Sequence, residues 1–402
     1  INGRWFMYKN TGLQNQSVLY LLDDWNDEEG TLLLDPNNLS TDGTVALSGI
    51  EVSKDGKTLI FSISRGGSDW NEFLFMDIDS KKMLDDHLKW IKFSGIEAFE
   101  DGIIYNRYPE PKQGDELKGA NENCMVCFHK IGTPQSEDVV LYNDPENPNR
   151  TFSLSVSDDD KYMFLYGSES TSGNSLAFKK SNKSKKTKFT SVIDNFNNDT
   201  YIVEVIDNKF YALTNVGAPL YRVVLIDPKN PKPENWTEII PQGDCVIQGV
   251  SSIGNRFVVS FLKDAHSVVK VYDYDGKFMY DLDNELIGSL SGFGGKKDDD
   301  FTFYSFTSFS VPSVIYRYDI ANNKSEEFKR SELKFDSDSY KTEQVFFESV
   351  DGTKVPMFIT YHKDTKLDGK NPTLLYGYGG FNISLTPSFS MSRIPLLENG
   401  GI

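Results

Sequence analysis

SKDGKTLIFSIS, residues 53–64, places an Asp-Gly turn directly ahead of an apolar, β-branched run, and the pattern returns along the chain. It reappears as FEDGIIYNRY at 99–108, SDDDKYMFLYG at 157–167, IDNKFYALT at 206–214, IGNRFVVSF at 253–261 and KDDDFTFYSF at 297–306. Asp, Asn and Gly tolerate the positive φ of tight two-residue loops, so each recurrence reads as the same hairpin in successive copies of one unit. With Asp55, Asp101, Asp159, Asp207, Gly254 and Asp299 as markers, the copies fall 45–58 residues apart, and Asn2-Gly3 adds a seventh. Alternation of apolar and polar residues between the turns, with 13% aromatic content, is an all-β signature. Units of this length with about four strands each are the repeat of a β-propeller, whereas a pair of β-sandwiches would leave the spacing without a cause. The expected fold is therefore mainly β, a seven-bladed β-propeller over residues 1–332. Its first blade is expected to be incomplete, because Asn2-Gly3 is an inner hairpin and the chain, which does not begin with Met, would open inside a blade.

After Ser331 the texture changes. KFDSDSYKTE (334–343) is polar and linker-like, and QVFFESVDGTKVPMFITYHKD (344–364) reads as two strands joined by Asp351-Gly352. LDGKNP then leads into TLLYGYGGF (373–381), which reads as a short buried strand running into a glycine-rich turn. Open α/β sheets present loops in this way at the carboxyl ends of their strands. Residues 333–402 are thus expected to be the first, truncated part of an α/β-hydrolase domain.

Charge and composition exclude several classes. Lys plus Arg number 42 against 59 for Asp plus Glu, a net charge of −17, so a phosphate backbone would be repelled and no nucleic-acid partner is expected. The one dense basic run, KKSNKSKKTK at 179–188, reads as a solvated hairpin loop. Three cysteines rule out a disulfide framework and fit a reducing, cytoplasmic setting, with Cys124 and Cys127 of CMVCFHK read as buried thiols on a strand. N-x-S/T sequons such as those at Asn182, Asn198 and Asn235 matter only in a secreted chain, and no apolar run is long enough for a signal or a membrane span. His87, His129, His266 and His362 stand in no metal-binding spacing, so each is expected to be structural; no metal and no cofactor is expected.

Nucleophilic hydrolysis on an α/β sheet needs a Ser on a G-x-S-x-G elbow followed by Asp and His, and the sequence contains no such elbow. YGYGGFN, residues 376–382, is the stretch that invites a chemical reading. Gly377, Gly379 and Gly380 let the backbone turn sharply, and Tyr378 between them holds a phenol donor of the kind that stabilises an oxyanion. A glycine-rich turn with packed aromatics remains the alternative on spacing alone.

YGYGGFNISLTPSFSMSR (376–393) with DGTKVPMFI (351–359) resembles the beginning of the α/β-hydrolase domain of the prolyl oligopeptidase family. NTGLQNQSVLY (10–20), LDPNNLSTDGTVAL (34–47) and GTPQSEDVVLY (132–142) resemble its propeller, so the resemblance spans the chain. It implies a monomeric, cytosolic serine peptidase that cuts short peptides after proline, with the propeller capping the active site. Tyr378 then matches the tyrosine of the oxyanion hole, Phe381 a residue lining the proline pocket, and Phe93 a propeller side chain at a more distal apolar subsite. Thr151 and Thr171 stand where the family has methionine and cysteine, a departure that weakens the apolar character of that subsite. Asp69 and Trp70 match a cavity-facing loop to which the resemblance gives no role. The Ser, Asp and His of the triad have no counterpart in this sequence, so the chain by itself is expected to be inert. A non-catalytic propeller that scaffolds protein partners is the alternative from another class.

Overall fold

The structure, a computed structural model, describes all residues except 185–186, 283–286, 332, 334 and 382. The expected boundary at residue 332 and Asn382 of the glycine-rich string lie outside the described residues. Two compact units are present, Ile1–Thr200 with Pro231–Glu234, and Tyr201–Asn230 with Asn235–Ile402.

Seven antiparallel meanders follow one another in the chain, three-stranded in the first case and four-stranded in the other six. The first has strands Trp5–Lys9, Val18–Leu22 and Thr31–Leu34, with Asn2 (φ 44°) and Gly3 (φ 78°) in the turn ahead of it. Val45–Val52, Thr58–Arg65, Asn71–Asp77 and Lys82–Ile91 form the second, and Glu97–Phe99, Gly102–Arg107, Met125–Lys130 and Val139–Asn143 the third. Thr151–Val156, Tyr162–Ser168, Ser175–Lys180 and Thr190–Ile193 make the fourth. The fifth runs over Thr200–Ile206, Lys209–Thr214, Arg222–Ile226 and Thr237–Ile240, and the sixth over Val246–Ile253, Arg256–Lys263, His266–Tyr272 and Phe278–Asp281. Ser289–Gly292, Phe301–Thr307, Val314–Asp319 and Lys324–Arg330 complete the seventh. The 58-residue interval between Asp101 and Asp159 has a local cause, an excursion over residues 108–124 between the second and third strands of the third sheet.

The six marker turns from Asp55 to Asp299 each join a first strand to a second, but they are of three kinds. Glu100-Asp101, Asp207-Asn208 and Gly254-Asn255 are two-residue connections, and both residues of the last two are left-handed, with φ of 51°, 58°, 59° and 57°. Gly102, which follows the first of these, is required by a close approach, since a Cβ there would sit 1.9 Å from the carbonyl oxygen of His129. The second and fourth sheets use a wider turn closed by serine. Ser53 Oγ donates to Asp55 Oδ1 and accepts from Thr58 N (2.6 and 2.9 Å), while Ser157 Oγ does the same with Asp159 and Tyr162 (2.7 and 3.0 Å). In the seventh sheet the connection lengthens to 293–300, so the tight loop expected at Asp299 is not formed there. At the turn ends of the first unit, Lys54 Nζ lies 3.0 Å from Asp160 Oδ1, linking the second sheet's turn to the fourth's.

The central strands are buried on both faces. Leu59, Phe61 and Ile63 pack with Leu19, Leu33 and Val45 of the first and second sheets, whereas Ile60 of the same strand packs with Ile103, Tyr105 and Cys127 of the third. Ile104 in turn joins Phe152, Leu154 and Met163 of the fourth sheet. Period-2 alternation therefore sends successive side chains of one strand into two different cores. The second unit repeats the scheme, with one cluster between the fifth and sixth sheets and another between the sixth and seventh. Cys124 and Cys127 are buried as expected, and burial pushes the Cys127 thiol up to about 12. Lys179 departs from the expectation of a solvated basic loop: it is 3% exposed and lies over the Phe189 ring at 4.9 Å. Lys183 pairs with Glu100 and Asp101 at 2.8 and 2.7 Å, and residues 185 and 186 of that run are outside the described set.

His129 is structural in a more specific way than its sequence context implied. Fully buried, it places Nδ1 2.7 Å from Asp138 Oδ1 and Nε2 3.0 Å from Asp86 Oδ1, linking the second and third sheets. Asp86 also accepts from Gly132 N at 2.6 Å, and Asp138 from the Tyr105 hydroxyl at 2.5 Å. Burial disfavours the imidazolium, but hydrogen bonds and charge from Asp138 and Asp86 outweigh it and raise the pKa above 6.5.

Beyond the seventh sheet, Tyr340–Glu348 and Lys354–His362 form the expected two-stranded hairpin through Asp351-Gly352. TLLYGYGGF is not a strand: Leu374 and Leu375 are exposed, and the described residues offer no neighbouring strand to pair with 375–381. One pair of bonds is made, from Ile402 N to the Pro372 oxygen (2.8 Å) and from Leu374 N to the Ile402 oxygen (2.9 Å). This is the parallel pattern, flanking Thr373, and the short helix Ile394–Glu398 lies between the two partners in the chain.

Two outcomes follow for the 402-residue chain. Limited trypsin digestion is expected to cut first at Lys363, Lys366 or Lys370, in the segment with least regular pairing, and initial cleavage inside the four-stranded sheets would contradict the packing described. His129→Gln leaves two buried carboxylates facing an uncharged amide, a cost of about 3–5 kcal/mol. A raised imidazole pKa stabilises the fold fully below the unfolded value of 6.5 and loses that contribution as pH rises through the folded value. Urea midpoints of parent and variant should therefore draw together as pH rises above 6.5, and a gap that does not change with pH would refute a charged His129.

Candidate functional site

Antiparallel meanders give each sheet two ends. In the first unit the marker turns occupy one end, so loops 66–70, 92–96, 108–124 and 169–174, which join second to third strands or one sheet to the next, gather at the other. Phe93 stands in the second of these with φ of 51° and is 71% exposed. Its carbonyl accepts from Asn106 Nδ2 at 3.4 Å, and Asn106 N donates to Ser94 Oγ at 2.8 Å. Thr151 is half-buried at the start of its strand, and Thr171 is exposed in loop 169–174.

Trp70, left without a role by the sequence, is held on several sides. Its Nε1–H donates to the Glu116 carbonyl at 2.6 Å, and its ring meets Trp90 and Tyr108 edge-on at 5.6 and 6.2 Å. The Lys92 ammonium lies 4.3 Å from the ring centroid and donates to Asn121 Oδ1 at 3.1 Å. Asp69 accepts from Asn71 Nδ2 through its backbone carbonyl at 3.2 Å.

In the second unit the segments on either side of the glycine-rich turn contact the ends of the sixth and seventh sheets opposite Gly254-Asn255. Ser289 Oγ donates to the Pro387 carbonyl at 2.7 Å, Phe389 N to Thr307 Oγ1 at 3.3 Å, and Gln344 Nε2 to the Asp264 carbonyl at 2.5 Å. The Phe309 and Phe358 rings meet at a tilt of 50°, 5.4 Å apart, and Arg393 lies 5.9 Å from the same Phe309 ring. Phe335, Tyr340, Phe389, Ile394 and Leu397 form a small core of their own. Within the turn, Gly379 (φ 71°) and Phe381 (φ 51°) are both left-handed, and Ile383 N closes on the Gly380 carbonyl at 3.0 Å. A Cβ on Gly380 would come 3.4 Å from the Tyr378 ring, so glycine leaves that ring room. Tyr378 is 52% exposed and Phe381 82%, and the Tyr378 hydroxyl donates to no described residue. Tyr378 and Phe381 are thus brought together on one turn, while Phe93 belongs to the other compact unit.

Sequence reasoning gave no notice of Glu97, at the start of an innermost strand. Burial pushes its carboxyl up to about 7, with Glu51 and Asp158 adding to the effect against a backbone hydrogen bond from Val156 and the charge of Lys54. Among the described residues no group of three or more His, Cys, Asp or Glu could hold a metal ion, and no helix is long and apolar enough to cross a membrane.

Meanders of this repeat length and strand number define a β-propeller. Residues 1–331 match the family model for the N-terminal β-propeller domain of prolyl oligopeptidase. The chain belongs to the prolyl oligopeptidase family. It is 40% identical over 398 residues to a prolyl endopeptidase of Elizabethkingia miricola, covering 99% of this chain and 56% of the relative. Prolyl oligopeptidase A of Galerina marginata is 33% identical over 436 residues, covering 100% and 59%. A solved prolyl endopeptidase structure superposes with a TM-score of 0.91 at 33% identity, covering 100% of this chain and 59% of that one. Prolyl oligopeptidase B from Galerina marginata, bound to a 25mer macrocyclization substrate, gives 0.90 at 30% identity, covering 97% and 58%. The chain spans a little over half the length of these curated relatives. Its fold is the seven-bladed β-propeller, as the repeat implied.

Because the folded Glu97 carboxyl titrates near 7 rather than 4.5, it weakens the fold progressively as pH rises between those values. Glu97→Gln should melt above the parent at about pH 8 and level with it at about pH 5, and an equal offset at both would remove burial as the cause.

Proposed function

We propose that this chain is the propeller-bearing part of a cytoplasmic, monomeric serine peptidase that hydrolyses short peptides on the carboxyl side of proline. Residues 333–402 are read as the first part of its α/β-hydrolase domain, and the parallel bonds around Thr373 with an intervening helix support that reading. The observation that carries the site assignment is Tyr378, half-exposed on a turn opened by Gly379 and Gly380, whose hydroxyl meets no partner among the described residues.

In the proposed reaction the attack on the peptide carbonyl turns its oxygen into an oxyanion. Tyr378 donates a hydrogen bond there, an interaction stronger in the transition state than in the ground state, and so it acts on kcat. Phe381, three residues on and exposed, offers a ring against which proline packs without burying a donor that proline could not partner. Phe93 serves an apolar residue further upstream in the peptide.

In a protein joining this chain to a complete peptidase domain, Tyr378→Phe should lower kcat on a proline-containing fluorogenic peptide about 10²-fold with KM little changed. An unchanged kcat would remove Tyr378 from the reaction. The 402-residue chain alone, whose sequence holds no G-x-S-x-G elbow, should release no fluorophore.

A further inference from the structure

Trp90 and Phe93 are bulky aromatic residues in left-handed backbone, with φ of 61° and 51°, three positions apart. Such residues sit badly in that region, and strain of this kind persists only where the surroundings over-determine it. The surroundings here centre on Trp70. Its indole N–H is tied to the Glu116 carbonyl in the middle of the 108–124 excursion, its ring makes T-shaped contacts with Trp90 and Tyr108, and its face carries the Lys92 ammonium. Tyr108 N donates to the Trp90 carbonyl at 2.9 Å, and Lys92, only 9% exposed, reaches across to Asn121. One side chain thereby joins loops 66–70, 92–96 and 108–124.

We propose that Trp70 is a positioning residue, clipping these three loops into one wall that holds Phe93 out toward the peptide. A core alone does not account for the arrangement. The cost of burying the Lys92 ammonium is offset only while the Trp70 ring and Asn121 stay in place around it, and Phe93, the side chain between Lys92 and Ser94, is turned to solvent rather than packed. The wall therefore selects for what precedes proline: an apolar side chain upstream in the peptide lies on Phe93 only while the clip is closed. The functional half rests on the peptidase reading, and the structural half on the first unit alone.

The test has an arm for each half. In the 402-residue chain, Trp70→Phe keeps a ring between Trp90 and Tyr108 but loses the bond to Glu116, and trypsin should cut at Lys112 or Lys118 at least about fivefold faster at an unchanged unfolding midpoint. Unchanged cleavage would overturn the clip whatever the protein's activity. In the protein with its complete peptidase domain, the same variant should raise KM about tenfold for a peptide with an apolar residue several positions before proline. For a short substrate ending at proline, kcat and KM should stay at parental values. Equal losses on both substrates, or none on either, would overturn the specificity role. Lys92→Met, which removes the ammonium without a large change of shape, should reproduce the split more weakly, and it keeps the question answerable if Trp70→Phe fails to fold. Absence of activity in the unmodified protein would refute the peptidase reading and leave the proteolysis arm standing.

Discussion

Each central strand of this protein is apolar on both sides, and that is the constraint from which the rest follows. Leu59, Ile60, Phe61 and Ile63 are all essentially inaccessible to water, yet alternate members point to opposite faces. Burying a side chain of this size contributes about 1.5–3 kcal/mol, a gain realised on both faces only if another sheet lies on each side. Stacking is therefore forced, and a polar contact that bridges stacked sheets, such as Asp86–His129–Asp138, must be complete or be costly. The loops at the strand ends are released from this requirement, which is why exposed aromatics and left-handed backbone are found there.

The propeller was legible in the sequence because its signal repeats. A single Asp-Gly turn says little, but seven turns at similar spacing, each followed by an apolar strand, define a unit, and the one long interval proved to be a local excursion at 108–124. Less legible was the form of the turns. Ser53 and Ser157 close theirs with a hydroxyl, a role that depends on a side-chain rotamer rather than on residue type. The stretch 373–381 was misread as a strand because apolar composition signals burial only when a partner is present to bury against.

At the candidate site the sequence points to what chemistry and resemblance mark, namely Tyr378, Phe381 and Phe93, and is silent on what geometry makes. Nothing in GSDW announces that Trp70 will receive a hydrogen bond acceptor from a loop 46 residues away, nor does SGIEAF announce that Glu97 will be desolvated. Such properties arise from contacts distant in sequence. The lysines of the 179–188 run make the same point in reverse, since composition suggested solvent and packing placed Lys179 inside.

The ion pair between Lys54 and Asp160 reaches past an entire intervening sheet, from the second to the fourth. Two sheets separated by a third can meet at 3.0 Å only if their inner corners converge while their outer strands diverge, as the staves of a fan do. The pair thus works as a caliper on the taper of the first unit. Its grip is set by exposed charges, so dissolved salt loosens it while leaving the apolar layers behind it untouched.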